Sequence, residues 1–176
     1  MLVVERPGEH AGEIADAAVT AVPGATLAVH TADCAGVLLH GTGDGVDVVG
    51  AAHAGWRGLV AGVLAATVDS MRSLGAEQVS WRLGPCISAA EYEFGPDDLA
   101  TVVAAVGADA ATTTRAGSPA LDLRRGVAAA LAAAGARPAE PPGTDVACTA
   151  SSTQWYSWRA RRDAGRQAAM TWMVAS

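Results

Sequence analysis

Two short stretches hold the residue types that do chemistry. The first, Ala51 to Gly58, sets His53, Trp56 and Arg57 on a glycine-hinged turn. The second, Thr31-Ala32-Asp33-Cys34, closes an apolar run with an acid and a thiol. A thiolate and an imidazole form a donor pair that suits zinc or copper. The same two groups suit nucleophilic catalysis, with Cys34 as nucleophile and His53 as base. Taken singly they read more simply. A free cysteine is usually a small buried hydrophobe, and a lone histidine is usually a core residue bonded to backbone. A helix starting just after His53 would turn its positive end toward the ring, so a neutral imidazole is expected there.

Further candidates flank this pair. Arg57 falls in the first turn of the expected helix, where a guanidinium beside backbone N–H groups makes a phosphate or oxyanion pocket; a surface arginine would look the same. Gly84-Pro85-Cys86 brings backbone close to a ligand or simply ends a strand, with Cys86 structural or on a pocket wall. Arg159, Arg161, Arg162 and Arg166 follow Trp155, Tyr156 and Trp158. Such clusters are usually a solvated face, with Arg159 or Arg166 the choices for a phosphate or carboxylate. No further histidine completes a metal site convincingly. His30 shares a strand face with Cys34, but four residues of strand hold their Cα atoms roughly 13 Å apart. His40 has a similar problem, and His10 requires the polar N-terminal loop to fold back.

The elements that must position these groups follow from pattern. Short strands are expected over 1–6, 25–31 and 36–40, with 14–20 ambiguous. The small apolar run Val46 to Ala52 reads as a buried strand. Leu59, Val63, Val68, Met71 and Leu74 fall at helical spacing, and Gly75 is a natural stop. Val79, Trp81 and Leu83 alternate along a strand. Pro96 with Asp97 and Asp98 starts a helix to about Val106, and Asp122 caps another over 123–134. A loop is expected over 109–119, a proline-rich loop over 138–143, and strands over 144–148 and 167–174. Strands and helices alternate irregularly, so the fold class is α/β, one layered domain over residues 1–176 with a mixed sheet and flanking helices.

Composition narrows the function. The formal charge of −6 leaves no basic excess for non-specific nucleic-acid binding. Lysine and asparagine are absent, which excludes Schiff-base chemistry, a Walker-type lysine and a Cys-His-Asn triad. The cysteines Cys34, Cys86 and Cys148 are widely spaced with no CxxC pair. No stretch is long and apolar enough to span a bilayer, and no charged segment followed by an apolar run opens the chain. The expectation is a cytoplasmic protein with reduced thiols and no membrane partner.

Several motifs occur in one order: Thr-Ala-Asp-Cys, Ala-His-Ala-Gly-Trp-Arg-Gly, Gly-Pro-Cys-Ile with Tyr-Glu-Phe-Gly, Cys148-Thr149, and Ser-Trp-Arg with Gly-Arg-Gln-Ala-Ala. From about Ile14 to the C-terminus the chain resembles the YfiH-type laccase-domain family, also described as polyphenol oxidase-like or peptidoglycan editing factor proteins. The resemblance implies a zinc site of two histidines and one cysteine, with copper-dependent phenol oxidation as an older alternative. It further implies purine nucleoside phosphorolysis of adenosine, inosine or methylthioadenosine, with adenosine deamination alongside. Cys34 and His53 match the family's cysteine and second histidine. The first histidine, in a Gln-Val-His motif, would fall before Met1, so the chain is expected to lack the family's N-terminal portion. Ala35-Gly36 stands where a proline is common, and Ala160-Arg161 replaces the usual Arg-Asp.

The favoured reading is therefore a zinc-dependent phosphorylase-like enzyme acting on nucleoside and phosphate. In it Cys34 and His53 are ligands, Asp33 belongs to the catalytic set, and Arg57, Arg159 and Arg166 are phosphate sites. Gly84 and Cys86 line the nucleoside pocket. A homodimer is compatible with this reading. The alternatives are a metal-free Cys-His hydrolase or amidase and a non-catalytic member of the family.

Overall fold

The computed structural model describes residues 1–140 and 146–174. In chain order its strands and helices are β1 (Leu2–Val3), β2 (Ala17–Thr20), β3 (Leu27–Thr31), β4 (Ala35–Gly43), β5 (Val46–Ala54), α1 (Trp56–Val60), α2 (Val63–Ser73), β6 (Gln78–Leu83), α3 (Pro96–Val106), β7 (Ala111–Thr113), β8 (Pro119–Leu121), α4 (Leu123–Ala133), β9 (Arg137–Pro138), α5 (Trp158–Arg161) and β10 (Gln167–Thr171). Six strands form one sheet in the order β1-β2-β5-β4-β6-β9. The β1–β2 and β6–β9 pairs are parallel and the remaining pairs antiparallel, so the sheet is mixed as expected.

The sheet is covered on both sides. Helices α2 and α4 pack Leu64, Val68, Met71, Val127 and Leu131 against one side, in a core shared with Val37, Leu39 and Val48. The antiparallel β3–β10 ribbon lies over the other, where Leu27 and Val29 meet Val49 and Ala51. This is why 48–52 on β5 is buried without interruption. A strand sandwiched between layers has no solvent face on which to place polar residues.

The β4–β5 hairpin is the element that matters most for the site. A two-residue turn, Asp44-Gly45, joins Gly43 to its partner Val46, with Gly45 at φ +68°. Gly43 itself must lack a side chain, because a Cβ there would stand 2.0 Å from the Gly75 carbonyl oxygen. From the turn the register runs without a slip to Gly36↔His53 and Ala35↔Ala54. Cys34 and Gly55 therefore leave the hairpin side by side.

Three expectations need correction. The helix expected over 59–74 is two helices, because Gly62 takes a left-handed conformation at φ +75° and breaks the run. The loop expected over 109–119 contains the β7–β8 hairpin, closed by Thr114 N–H to Ser118 O at 2.8 Å around Gly117 at φ +85°. The strands at the two ends are shorter than expected, at Leu2–Val3 and Gln167–Thr171. Both the α3 start at Pro96 and the Asp122 cap on α4 match expectation, the latter accepting the Arg125 N–H at 3.0 Å. The loop and strand expected over 138–143 and 144–148 fall in part at 141–145, outside the described residues.

Candidate functional site

Cys34 and His53 meet at Gly55. A Cβ placed on Gly55 would stand 3.1 Å from Cys34 Sγ, 3.8 Å from His53 Cε1 and 3.9 Å from His53 Nε2. The thiol and the Nε2 edge of the imidazole thus share the space that glycine leaves open. On its other edge the ring is fixed, with Nδ1 2.9 Å from Asp16 Oδ1. Asp16 reaches this position because β2 pairs with β5, and the His53 N–H donates to the Asp16 carbonyl oxygen as well. Nothing in the sequence pattern marked Asp16: it lies 37 residues from His53 among ordinary acidic neighbours.

In the metal-free chain this arrangement works against the neutral imidazole expected from the helix start. The His53 pKa is pushed up to about 9, first by the Cys34 sulfur as acceptor for the ring N–H, with Asp16 adding to it against the opposing effect of burial. The helix that follows, α1, is five residues long. The adjacent thiol and carboxylate outweigh its weak positive end.

Asp33 is a joint. It is a non-glycine residue at φ +94°, buried to 7% exposure. Its Oδ1 accepts from the Thr149 hydroxyl at 2.7 Å, and its Oδ2 from the Arg159 N–H at 2.6 Å. Its carbonyl accepts the Ile87 N–H at 2.9 Å. One residue beside Cys34 therefore gathers the 84–88 turn, Thr149 and the start of α5. With both carboxylate oxygens engaged by donors, its visible role is to hold backbone rather than to move protons.

Tyr92 and Arg159 form the wall nearby. The Arg159 guanidinium lies over the Tyr92 ring at 5.0 Å, and Tyr92 packs edge-on to Phe94, which meets Trp56 in the same way. Burial raises the Tyr92 pKa, and the Cys34 sulfur adds to it, so this ring stands in the thiol's surroundings. Tyr92 was visible only as part of the Tyr-Glu-Phe-Gly motif.

The other sequence candidates distribute as follows. Arg57 is exposed, with its guanidinium 4.4 Å over the Trp56 ring. Arg166 Nη1 is held by the carbonyls of Asp163, Ala164 and Gly165 at 2.7–3.1 Å. The Gly84 N–H is bonded to Gly36 O, extending the β4–β6 pairing, and Cys86 is fully buried. His10 bonds Glu13 and His40 bonds Asp47. His10 and His30 line, with His53, a cavity of about 570 Å³ between the N-terminal segment and β3.

A thiol and an imidazole whose second nitrogen is held by a carboxylate are the donor types of a zinc site, with the orienting partner such ligands usually have. Among the described residues no group of three or more His, Cys, Asp or Glu is arranged to hold a metal ion. Cys34 and His53 therefore fit as two donors.

Comparison with known proteins identifies the family. A family model described as multi-copper polyphenol oxidoreductase laccase matches residues 1–174. Purine nucleoside phosphorylase SCO2081 of Streptomyces coelicolor is 42% identical over 175 residues, covering 97% of this chain and 69% of that protein. Purine nucleoside phosphorylase Rv2149c of Mycobacterium tuberculosis is 38% identical over 173 residues, covering 97% and 67%. Among solved structures, Neisseria meningitidis protein NMB0706 superposes with a TM-score of 0.79 at 29% identity, covering 99% of this chain and 71% of that one. Bacillus licheniformis YfiH gives 0.76 at 26% identity, and this chain spans 61% of its length.

Proposed function

The chain belongs to the multi-copper polyphenol oxidoreductase laccase family, and from that premise we propose that its Cys34–His53 site serves zinc-dependent phosphorolysis of purine nucleosides. The observation that carries the reading is the convergence of thiol and imidazole at Gly55, with exposed arginines on the neighbouring elements. Relatives of this chain named purine nucleoside phosphorylase supply the reaction class.

In this reading Cys34 and His53 hold the metal, which when bound would supply a Lewis acid beside the substrate. Asp16 keeps His53 Nδ1 engaged, so that Nε2 is the nitrogen directed to the metal. Arg57 and Arg159 place the phosphate, since guanidinium groups match its oxygens in paired hydrogen bonds. Phosphate oxygen forms a bond to C1′ of the ribose as the bond from C1′ to the purine nitrogen breaks. The base leaves with the bonding electrons and takes up a proton. Tyr92 offers an aromatic face to the purine, held in place by Phe94 and Arg159. Adenosine, inosine and methylthioadenosine are the proposed substrates, with adenosine deamination a second activity of the same site.

The test is release of adenine or hypoxanthine from adenosine or inosine by zinc-loaded protein, with and without phosphate. Base release that requires phosphate supports the reading, and its absence at every zinc loading overturns it. Elemental analysis of protein purified without added metal distinguishes zinc from copper. One observation favours a metal-free Cys-His hydrolase as a second reading, namely that Cys34 Sγ and the Nε2 edge of His53 face the same space at Gly55. Iodoacetamide labelling selective for Cys34 in zinc-free protein, with esterase or amidase turnover lost on that labelling, would favour it.

A further inference from the structure

Away from the Gly55 site, Cys86 and Cys148 are bridged partners in a short parallel pairing. The Cys86 N–H donates to Ala147 O at 3.2 Å, and the Thr149 N–H donates to Cys86 O at 3.3 Å. Neighbouring strands lie about 4.8 Å apart, inside the roughly 4.4–6.8 Å between Cα atoms that a disulfide spans. Directly paired residues also present their side chains to the same side of the pairing. Both cysteines are free thiols.

We propose that Cys86 and Cys148 are a modification site for hydroperoxides, closing into a reversible disulfide between the 84–88 turn and the 146–149 segment.

The two thiols differ in the way such a pair requires. Cys148 is half-buried, and the Ser88 N–H donates to its sulfur at 3.3 Å. Burial works against its ionisation, but donors from Ser151 and Ser88 bring its pKa down to about 7. Cys86 has no exposure, and burial pushes its thiol up to about 11 even with Arg124 alongside. An oxidant from solvent therefore meets Cys148 first, as a substantial fraction of thiolate near neutral pH. Cys86 is the resolving thiol behind it.

The chemistry balances with the peroxide as oxidant. The Cys148 thiolate attacks the peroxide oxygen, the O–O bond breaks, and Cys148 becomes a sulfenic acid while the peroxide leaves as alcohol or water after taking up a proton. The Cys86 sulfur then displaces the sulfenic hydroxyl, which leaves as water with the Cys86 proton. Two thiols are oxidised and one peroxide is reduced. The location gives the bond a consequence. Ile87 and Thr149, each next to one of the cysteines, both hydrogen-bond Asp33, the residue before Cys34. The disulfide would cross-link the two segments that clasp Asp33.

The test treats the full chain with a few equivalents of hydrogen peroxide, then digests it without reductant for mass spectrometry. The expected product is a Cys86–Cys148 peptide pair lighter by two hydrogens and restored by dithiothreitol. Titratable thiols should fall from three to about one. In Cys86→Ser, dimedone should trap a sulfenic acid on Cys148. Cys148 carried to sulfinic acid with Cys86 still reduced, a disulfide that includes Cys34 or joins two copies, or no oxidation would each overturn the proposal. The measurement on the unmodified chain stands even if the variant fails to fold.

Discussion

His53 Nδ1 is held by Asp16 at 2.9 Å, and that single contact leaves the Nε2 edge of the ring facing the space it shares with Cys34. Asp16→Ala should lower zinc affinity about 10- to 100-fold, read by competition with a chromogenic chelator. Thermal stability should hardly change, because the Asp16 side chain is 64% exposed. Asp33 behaves oppositely. Replacing it by asparagine keeps a residue tolerant of φ +94°, but it puts an N–H donor or a weaker acceptor where Thr149 and Arg159 donate. Urea unfolding of Asp33→Asn should show a loss of about 1–3 kcal/mol. The thiols are separable by pH. The reactive form of Cys148 is the thiolate, so its alkylation should speed up as pH rises through about 7 and level off above it. Cys86 should stay unlabelled over that range, its thiol being protonated to about 11 and buried. Peptide mapping of iodoacetamide adducts at several pH values reads both.

Elements decide where these residues stand. Gly55 begins α1, and the Cys34 sulfur would lie 3.1 Å from a Cβ there. Gly55→Ala should leave the fold intact by circular dichroism while displacing thiol from imidazole, lowering zinc stoichiometry and any phosphorolysis together. Elsewhere the capping logic is local and was legible. Asp122 before an apolar-periodic run marks a helix start, and the Asp122 side chain accepts the Arg125 N–H. Asp122→Ala should cost about 1 kcal/mol, measured by urea unfolding. Periodicity was less informative where a glycine changed the chain's path. The 59–74 run kept its helical spacing through Gly62, yet the left-handed turn there divides it in two. The β7–β8 hairpin was missed for a related reason. The β7 residues Ala111-Thr112-Thr113 are small and exposed, and the buried Ala120 and Leu121 of β8 are consecutive, so neither strand shows an apolar alternation.

At the scale of the molecule, a mixed sheet is held between a helical layer and a two-stranded ribbon. Leu131 on α4 is fully buried in the helical layer, so Leu131→Ala should destabilise by about 2–5 kcal/mol. The sequence by itself determined the α/β class, the buried character of β5 and the helix starts at Pro96 and Asp122, and it singled out Cys34 and His53 as candidates. Each of these rests on residue type and short-range spacing, which the chain carries locally. Only tertiary structure brought in Asp16, through the β2–β5 register, made Asp33 a joint for three segments, and stacked Arg159 on Tyr92, because those contacts join residues far apart in sequence. In the metal-free chain it also raises the His53 pKa, against the expected neutral ring. A neighbouring thiol and carboxylate act on the ring at contact distance, and a helix of five residues supplies too weak a field to oppose them.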